Sequence, residues 1–165
     1  MKSDFFKRMF GKPYTFHNDA IGLDIEIDAI RIGKALDYAQ DALDSQMWDL
    51  MKLYMPIDTG SLIQQTQALN ESVSGEVYCY DPSIPYGHYQ YEGKLYEDPV
   101  YHVGAFYSPS YGFWSRPGVK KVRTEWGLEY HGNPDTQPHW GEFVINNHSE
   151  ELRKVVENTI RANIK

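Results

Sequence analysis

The sequence is poor in the features that announce most chemistries. Its 165 residues hold one cysteine, Cys79, so an internal disulfide is excluded and a reducing site of folding is favoured. No apolar run approaches the ~20 residues that a membrane-spanning helix requires. Lys and Arg number 16 against 23 Asp and Glu, a net charge of −7, which disfavours strong general nucleic-acid binding. No glycine-rich loop is built to cradle phosphate, because Gly118, Gly127, Gly132 and Gly141 are scattered. Met1 to Phe10 mixes Phe with Lys and Arg but has neither a continuous apolar stretch nor a small-residue cleavage site, so it does not read as a signal peptide.

What is present describes a soluble chain able to bury a full core without staples, since a chain of about this length buries roughly 68–70% of its unfolded surface. Residues 1–22 show no sustained period and read as an N-terminal arm. Leu23, Ile25 and Ile27 alternate with Asp24, Glu26 and Asp28, the pattern of a strand with one wet face. The period then changes to threes and fours, from Ile32 through Leu36, Leu43 and Leu50 to Tyr54, and predicts an amphipathic helix from Ala29 to Met55 that Pro56 ends. Lys34, Asp37, Asp41, Asp44 and Asp49 fall on its opposite face and read as solvation.

A short helix capped by Asp58 or Thr59 is expected as far as Gln67. Leu69 to Val73 and Glu76 to Tyr80 read as two strands joined by a Ser74-Gly75 turn. From Asp81 to Gly118 the chain is rich in Pro, Gly, Ser and Tyr and no clean period survives, so the stretch is either a functional projection or holds strands whose register the sequence does not give. Val122, Thr124, Trp126, Leu128 and Tyr130 alternate with polar residues and predict a half-buried strand. A final helix, capped by Asn147 or Ser149, carries the stripe Leu152, Val155, Val156, Thr159, Ile160 and Ile164. This order predicts a single α+β domain over residues 23–165, with the long helix and the C-terminal helix on one face of a mainly antiparallel sheet.

Four groups of residues invite a chemical reading. Asp58-Thr59-Gly60-Ser61 is the tetrapeptide that carries the catalytic aspartate of pepsin-like and retroviral aspartic proteases, and a homodimer would pair two such carboxylates. In those enzymes it follows a strand; here a long helix precedes it and helical spacing follows, so a helix cap is the better reading. Histidines stand at 17, 88, 102, 131, 139 and 148, with Asp135 and Glu142 as carboxylate partners, but none has metal-ligand spacing and no metal or other cofactor is expected. Cys79 with His88 or His102 would make a nucleophile and base, although a lone cysteine in a Val-Tyr-Cys-Tyr run reads as a small buried hydrophobe. The last group is aromatic: 13 Tyr, 7 Phe and 4 Trp, with tyrosine concentrated between Tyr78 and Tyr130, a composition suited to protein interfaces or to stacking on sugars.

The run Tyr54-Met55-Pro56-Ile57-Asp58-Thr59-Gly60-Ser61-Leu62 after a long amphipathic helix resembles an element of the minor capsid and neck proteins of tailed bacteriophages, which complete tails and join heads to tails. Pro56, Asp58, Thr59, Gly60 and Leu62 are its hallmark positions. Glu76-Val77-Tyr78, then Pro85-Tyr86-Gly87-His88-Tyr89-Gln90-Tyr91-Glu92-Gly93, is similar to the family's strand and aromatic segment. Pro138-His139-Trp140 before the last helix resembles its closing element. Gly87 and His88 depart from the family's alanine-containing stretch, and residues 97–118 have no counterpart in it.

The resemblance implies a virion structural protein without enzymatic activity, working at the head-tail junction and in the host cytoplasm during assembly. Its partners would be further copies in a homo-oligomeric ring of roughly six- or twelve-fold symmetry, together with the neighbouring connector and tail-tube or terminator proteins. Genomic DNA would pass nearby without sequence-specific binding, and no membrane is involved. Tyr86, Tyr89, Tyr91, Phe106, Tyr107, Tyr111, Phe113 and Trp114 are the candidate assembly surface. An aspartic protease using Asp58 and an aromatic carbohydrate-binding module are the alternatives.

Overall fold

In a computed structural model of the chain, residues 14–18, 23–27, 29–84 and 86–164 are described, with side chains from Ile30 onward. Most of the expected N-terminal arm, and Pro85 of the aromatic segment, lie outside them. The class is α+β, and every strand pairing is antiparallel. Among the described residues there are three two-stranded ribbons in place of one sheet. Their strands are β1 (Tyr14–Asn18), β2 (Leu23–Ile27), β3 (Lys94–Glu97), β4 (Phe106–Ser108), β5 (Gly112–Trp114) and β6 (Val122–Gly127), paired β1 with β2, β3 with β6 and β4 with β5. The helices are α1 (Ala29–Lys52), α2 (Ser61–Ser72), α3 (Gly87–Glu92) and α4 (Trp140–Ile164).

The chain divides into two compact units built from interleaved segments, so no single point of the sequence separates them. The first comprises Met1–Asp49, Asn70–Val77 and Asn146–Lys165. Within it β1 and β2 pair from Tyr14 opposite Ile27 to Asn18 opposite Leu23, so a stretch of the expected arm is a strand. Among the described residues, Ala35, Ala39 and Trp48 of α1 and Leu152 of α4 are buried and apolar. Two aspartates on the polar face of α1 do more than meet water. Asp41 Oδ1 accepts from the Ser74 hydroxyl at 2.9 Å, and Asp44 Oδ2 accepts from the Gly75 backbone N–H at 2.7 Å.

Those bonds explain one failed expectation. Leu69 to Tyr80 is no strand pair: α2 continues to Ser72, and the Ser74-Gly75 bend, with Gly75 at φ 85°, gives its donors to the α1 carboxylates instead of to a strand. Leu62, Thr66 and Leu69 recur at helical spacing, and this period wins over β propensity.

The second unit comprises Leu50–Leu69 and Tyr78–Ile145, with Leu50, Met51, Met55, Leu62, Ile84, Trp140 and Val144 buried. Helix α1 ends at Lys52, and Leu53 and Tyr54 close a last turn before Pro56, which has no N–H to continue it. The carbonyls left over find partners: Asn133 Nδ2 donates to Leu53 O at 2.8 Å and Met55 O at 3.2 Å, and the Gln137 N–H donates to Tyr54 O at 3.1 Å. Thr66 is fully buried. Its hydroxyl donates to Leu62 O at 2.7 Å and accepts from the Asp81 N–H at 3.1 Å, which fixes the chain leaving α2.

Two boundaries are corrected here. Helix α4 begins at Trp140, so Asn147 and Ser149 lie inside it and cap nothing. The strand expected over Val122 to Tyr130 stops at Gly127, and within it only Thr124 is even half-buried, while Trp126 is 74% exposed. Register with β3 runs Lys94 opposite Gly127 and Glu97 opposite Val122 with an irregularity between them, so the alternation does not meet a continuous partner face.

Gly132 sits at φ 87°, and a Cβ there would run into the Ile57 carbonyl oxygen. Gly118 has a similar φ of 73° but open space around it. Both should lose about 1–2 kcal/mol to left-handed strain when changed to alanine. Gly132→Ala is expected to lose at least about 1 kcal/mol more in urea denaturation, because it must also push the 132 and 57 backbones away from each other. Equal losses would mean that this close approach yields freely.

Candidate functional site

The aromatic segment forms the tightest exposed feature. Strands β4 and β5 make a hairpin with Phe106 opposite Trp114, Tyr107 opposite Phe113 and Ser108 opposite Gly112. The turn is specified locally: the Tyr111 N–H donates to Ser108 O at 3.2 Å, the Ser110 N–H to Ser108 Oγ at 3.3 Å, and Gly112 takes the left-handed position at φ 71°. Period-two alternation divides the side chains between two faces. On one, Phe106 and Trp114 stack at 4.8 Å, with Tyr101 edge-on to Phe106 at 5.5 Å. On the other, Tyr107 and Phe113 form a tilted pair 5.3 Å apart and are 67% and 79% exposed. Tyr111 at the tip is 84% exposed.

The base of this hairpin is locked by one buried carboxylate. Asp98, just past β3, receives Arg116 in a bidentate pair, Nε to Oδ2 at 2.6 Å and Nη2 to Oδ1 at 2.7 Å. The Val100 and Tyr101 N–H groups also donate to its Oδ1, at 2.9 and 3.1 Å. Arg116 in turn lies 4.9 Å over the Tyr101 ring. The Arg116 hydrogen bonds hold the Asp98 carboxyl well below the usual carboxylate range against the opposing effect of burial. The loop from Asp98 closes with the Asp98 N–H on Val103 O and the His102 N–H on Asp98 O, both at 2.9 Å, and His102 takes a positive φ of 53°.

A separate cleft of about 480 Å³ is lined by Pro56 to Leu62 on one side and by Tyr86, Gln90, Glu129, Tyr130 and His131 on the other. It joins two motifs that are well apart in sequence. Gly60, at φ 78°, leads into α2: its carbonyl accepts from the Gln64 N–H at 3.0 Å, and Thr59 Oγ1 accepts from the Ser61 N–H at 3.4 Å. Thr59 is thus the capping side chain of the two expected, and Asp58 is left exposed in the cleft together with Glu129. The opposite wall is fixed by Tyr130, which donates to Gln90 O at 2.6 Å and whose hydroxyl burial pushes up to about 12. Gly93, at φ 63°, caps α3 where a Cβ would meet Pro138 and Tyr130.

Cys79 and its two expected bases each have other partners. The Cys79 thiol bonds with Tyr91, and burial pushes it up; the Tyr91 bond opposes that and the Glu142 charge adds to it. His88 Nδ1 stands 3.5 Å from the Tyr80 hydroxyl, and His102 Nδ1 lies 2.7 Å from Glu97. Tyr91 itself donates to Glu142 and packs edge-on against Trp140 at 4.8 Å, while Trp140 Nε1 donates to Cys79 O at 2.8 Å. A Cβ on Gly141 would strike the Cys79 sulfur, so the first turn of α4 is seated on this cluster. Tyr91 is therefore half-buried, with one side of its ring packed on this cluster.

Of the other expected surface residues, Tyr86 enters the cleft, Tyr89 packs on Tyr96 at 4.6 Å, and Phe106, Tyr107, Tyr111, Phe113 and Trp114 gather on the hairpin. Sequence reasoning missed Asp98, Arg116 and Glu129. A carboxylate and a guanidinium 18 residues apart carry no spacing signal. Among the described residues no group of three or more His, Cys, Asp or Glu is placed to hold a metal ion, and no helix is long and apolar enough to cross a membrane. No family model, curated protein or solved structure matches this chain.

Because the Asp98 carboxyl is depressed in the folded chain, its contribution is complete above its ordinary value near 3.8 and is lost as pH falls below it. Near-ultraviolet circular dichroism from the hairpin aromatics should be flat from pH 8 to 5 and fall below about 4. Asp98→Asn should show the reduced signal already at pH 7 and no acid step of this origin. An identical acid profile in both proteins would remove the lock.

Proposed function

We propose that this chain is a structural subunit of the head-tail junction of a tailed phage or prophage, acting through assembly contacts without catalysis. The observation that carries the reading is the locked hairpin, which offers Tyr107, Tyr111 and Phe113 to solvent at more than 60% exposure each. Large aromatics held out on a rigid support are what an interface provides, and interfaces are enriched in Tyr, Phe and Trp. The resemblance of Tyr54 to Leu62 and of Tyr86 to Gly93 to the neck family supports the same reading, and residues of both segments line one cleft.

The alternatives draw less support. A sugar platform wants rings in one plane, and those of Tyr107 and Phe113 are inclined by 59°. Asp58 stands in a loop between two helices, not after a strand as in the aspartic proteases.

Electron microscopy of an induced lysate carrying a stop codon in this gene tests the proposal. Filled heads and finished tails should accumulate separately. Normal virions with a defect in maturation cleavage or host binding would sink it. The companion variant lacks Phe106 to Trp114: it should unfold cooperatively, as the full chain does, yet fail to complete the junction. Loss of cooperative unfolding would place these aromatics in the core.

A further inference from the structure

The charges of the second unit are segregated in a way that the overall acidity hides. Between Asp98 and Glu125 the chain has four basic residues, Arg116, Lys120, Lys121 and Arg123, and no acidic one, in a protein of net charge −7. This segment contains the whole aromatic hairpin. Arg116 is committed to Asp98, the Lys121 ammonium donates to Gly104 O, and the exposed Arg123 lies 4.0 Å from the Glu92 carboxylate, while Lys120 is exposed. The cleft has the opposite character, with Asp58 and Glu129 in its lining and no Lys or Arg.

We infer that the aromatic hairpin of one copy docks in the Pro56–Leu62 cleft of the next, so that the cleft's occupant is a second copy of this chain. The inference rests on the subunit reading above and names its contact. Size permits entry of the Tyr111 turn: about 480 Å³ lies within the roughly 300–1,000 Å³ of pockets that take a compact ligand. The chain that follows the hairpin carries the exposed Lys120 while the cleft carries Asp58 and Glu129, so the two patches are complementary in charge. None of the described residues that line the cleft belongs to the hairpin. Two different patches meeting give a heterologous contact, which propagates from copy to copy and closes into a ring when the rotation allows. Basic residues with exposed aromatics also suit single-stranded nucleic acid, but that occupant would leave the acidic cleft unused.

Disulfide trapping in the full chain tests the contact. Tyr111→Cys at the hairpin tip and His131→Cys in the cleft are made singly and together, then oxidised at equal concentration. The double variant should give a ladder of trimers and larger species on a non-reducing gel, and each single variant nothing beyond dimer. Adding Glu129→Lys should reduce the ladder at least several-fold, and further adding Lys120→Glu should restore it. Circular dichroism melts confirm that each variant is folded. A double variant with no larger species than the singles overturns the inference. So does a ladder that survives Tyr107→Ser with Phe113→Ser. Capture of labelled single-stranded DNA by the hairpin, with the double variant still monomeric, assigns the surface to nucleic acid instead. A missing ladder alongside separated heads and tails in the stop-codon lysate would fault only this contact. A ladder alongside normal virions would leave the self-association and fault the neck reading.

Discussion

The Asp98 carboxylate is the constraint on which the exposed hairpin of the second unit depends. It is nearly fully buried, and a buried charge is tolerated only when its lone pairs are filled. Here two bonds from Arg116 and two from backbone N–H groups fill them. Because the donors come from both ends of the segment, from Val100 and Tyr101 before the hairpin and from Arg116 after it, satisfying one carboxylate also closes the loop. Replacing Arg116 by any residue without a guanidinium would strand a buried anion, and the cheapest relief is to open the loop.

How legible this is in the sequence depends on the range of the forces involved. Helix α1 is legible because its period runs over two dozen residues and Pro56 marks its end. The start of α4 is not, because Trp140, Phe143 and Val144 are too few to show a period by themselves; what seats that turn is a distant partner set, Cys79 and Tyr91, meeting Gly141. The alternation over Val122 to Tyr130 correctly marks extended chain as far as Gly127, yet it misleads about burial, since burial depends on what faces the strand. The Asp41 and Asp44 carboxylates look like solvation and instead hold the Ser74-Gly75 bend.

The candidate site divides along the same line. The hairpin aromatics are visible as composition, while their separation into a stacked Phe106–Trp114 face and an open Tyr107–Phe113 face requires the register. Tyr91 cannot be told from Tyr89 by its neighbours in sequence, because what it packs against is Trp140, some 49 residues on. The Pro56 to Leu62 hallmarks and Tyr86 each stand out alone. Their meeting in one cleft, with Glu129 and His131 completing the wall, is a tertiary fact.

Rigidity links the lock to the surface. An interface must offset the ordering of its own loops and side chains, at about 0.5–1.5 kcal/mol for each immobilised rotamer-rich side chain, so a projection ordered before binding keeps more of its contact energy. Tyr and Phe suit this role because few torsions fix a large area. In this chain the turn hydrogen bonds set the tip, cross-strand ring pairs set the two faces, and the Asp98–Arg116 pair sets the base. Exposed aromatics on a flexible loop would collapse onto the nearest apolar surface of their own chain. Held away from it, Tyr107, Tyr111 and Phe113 keep most of their surface in solvent.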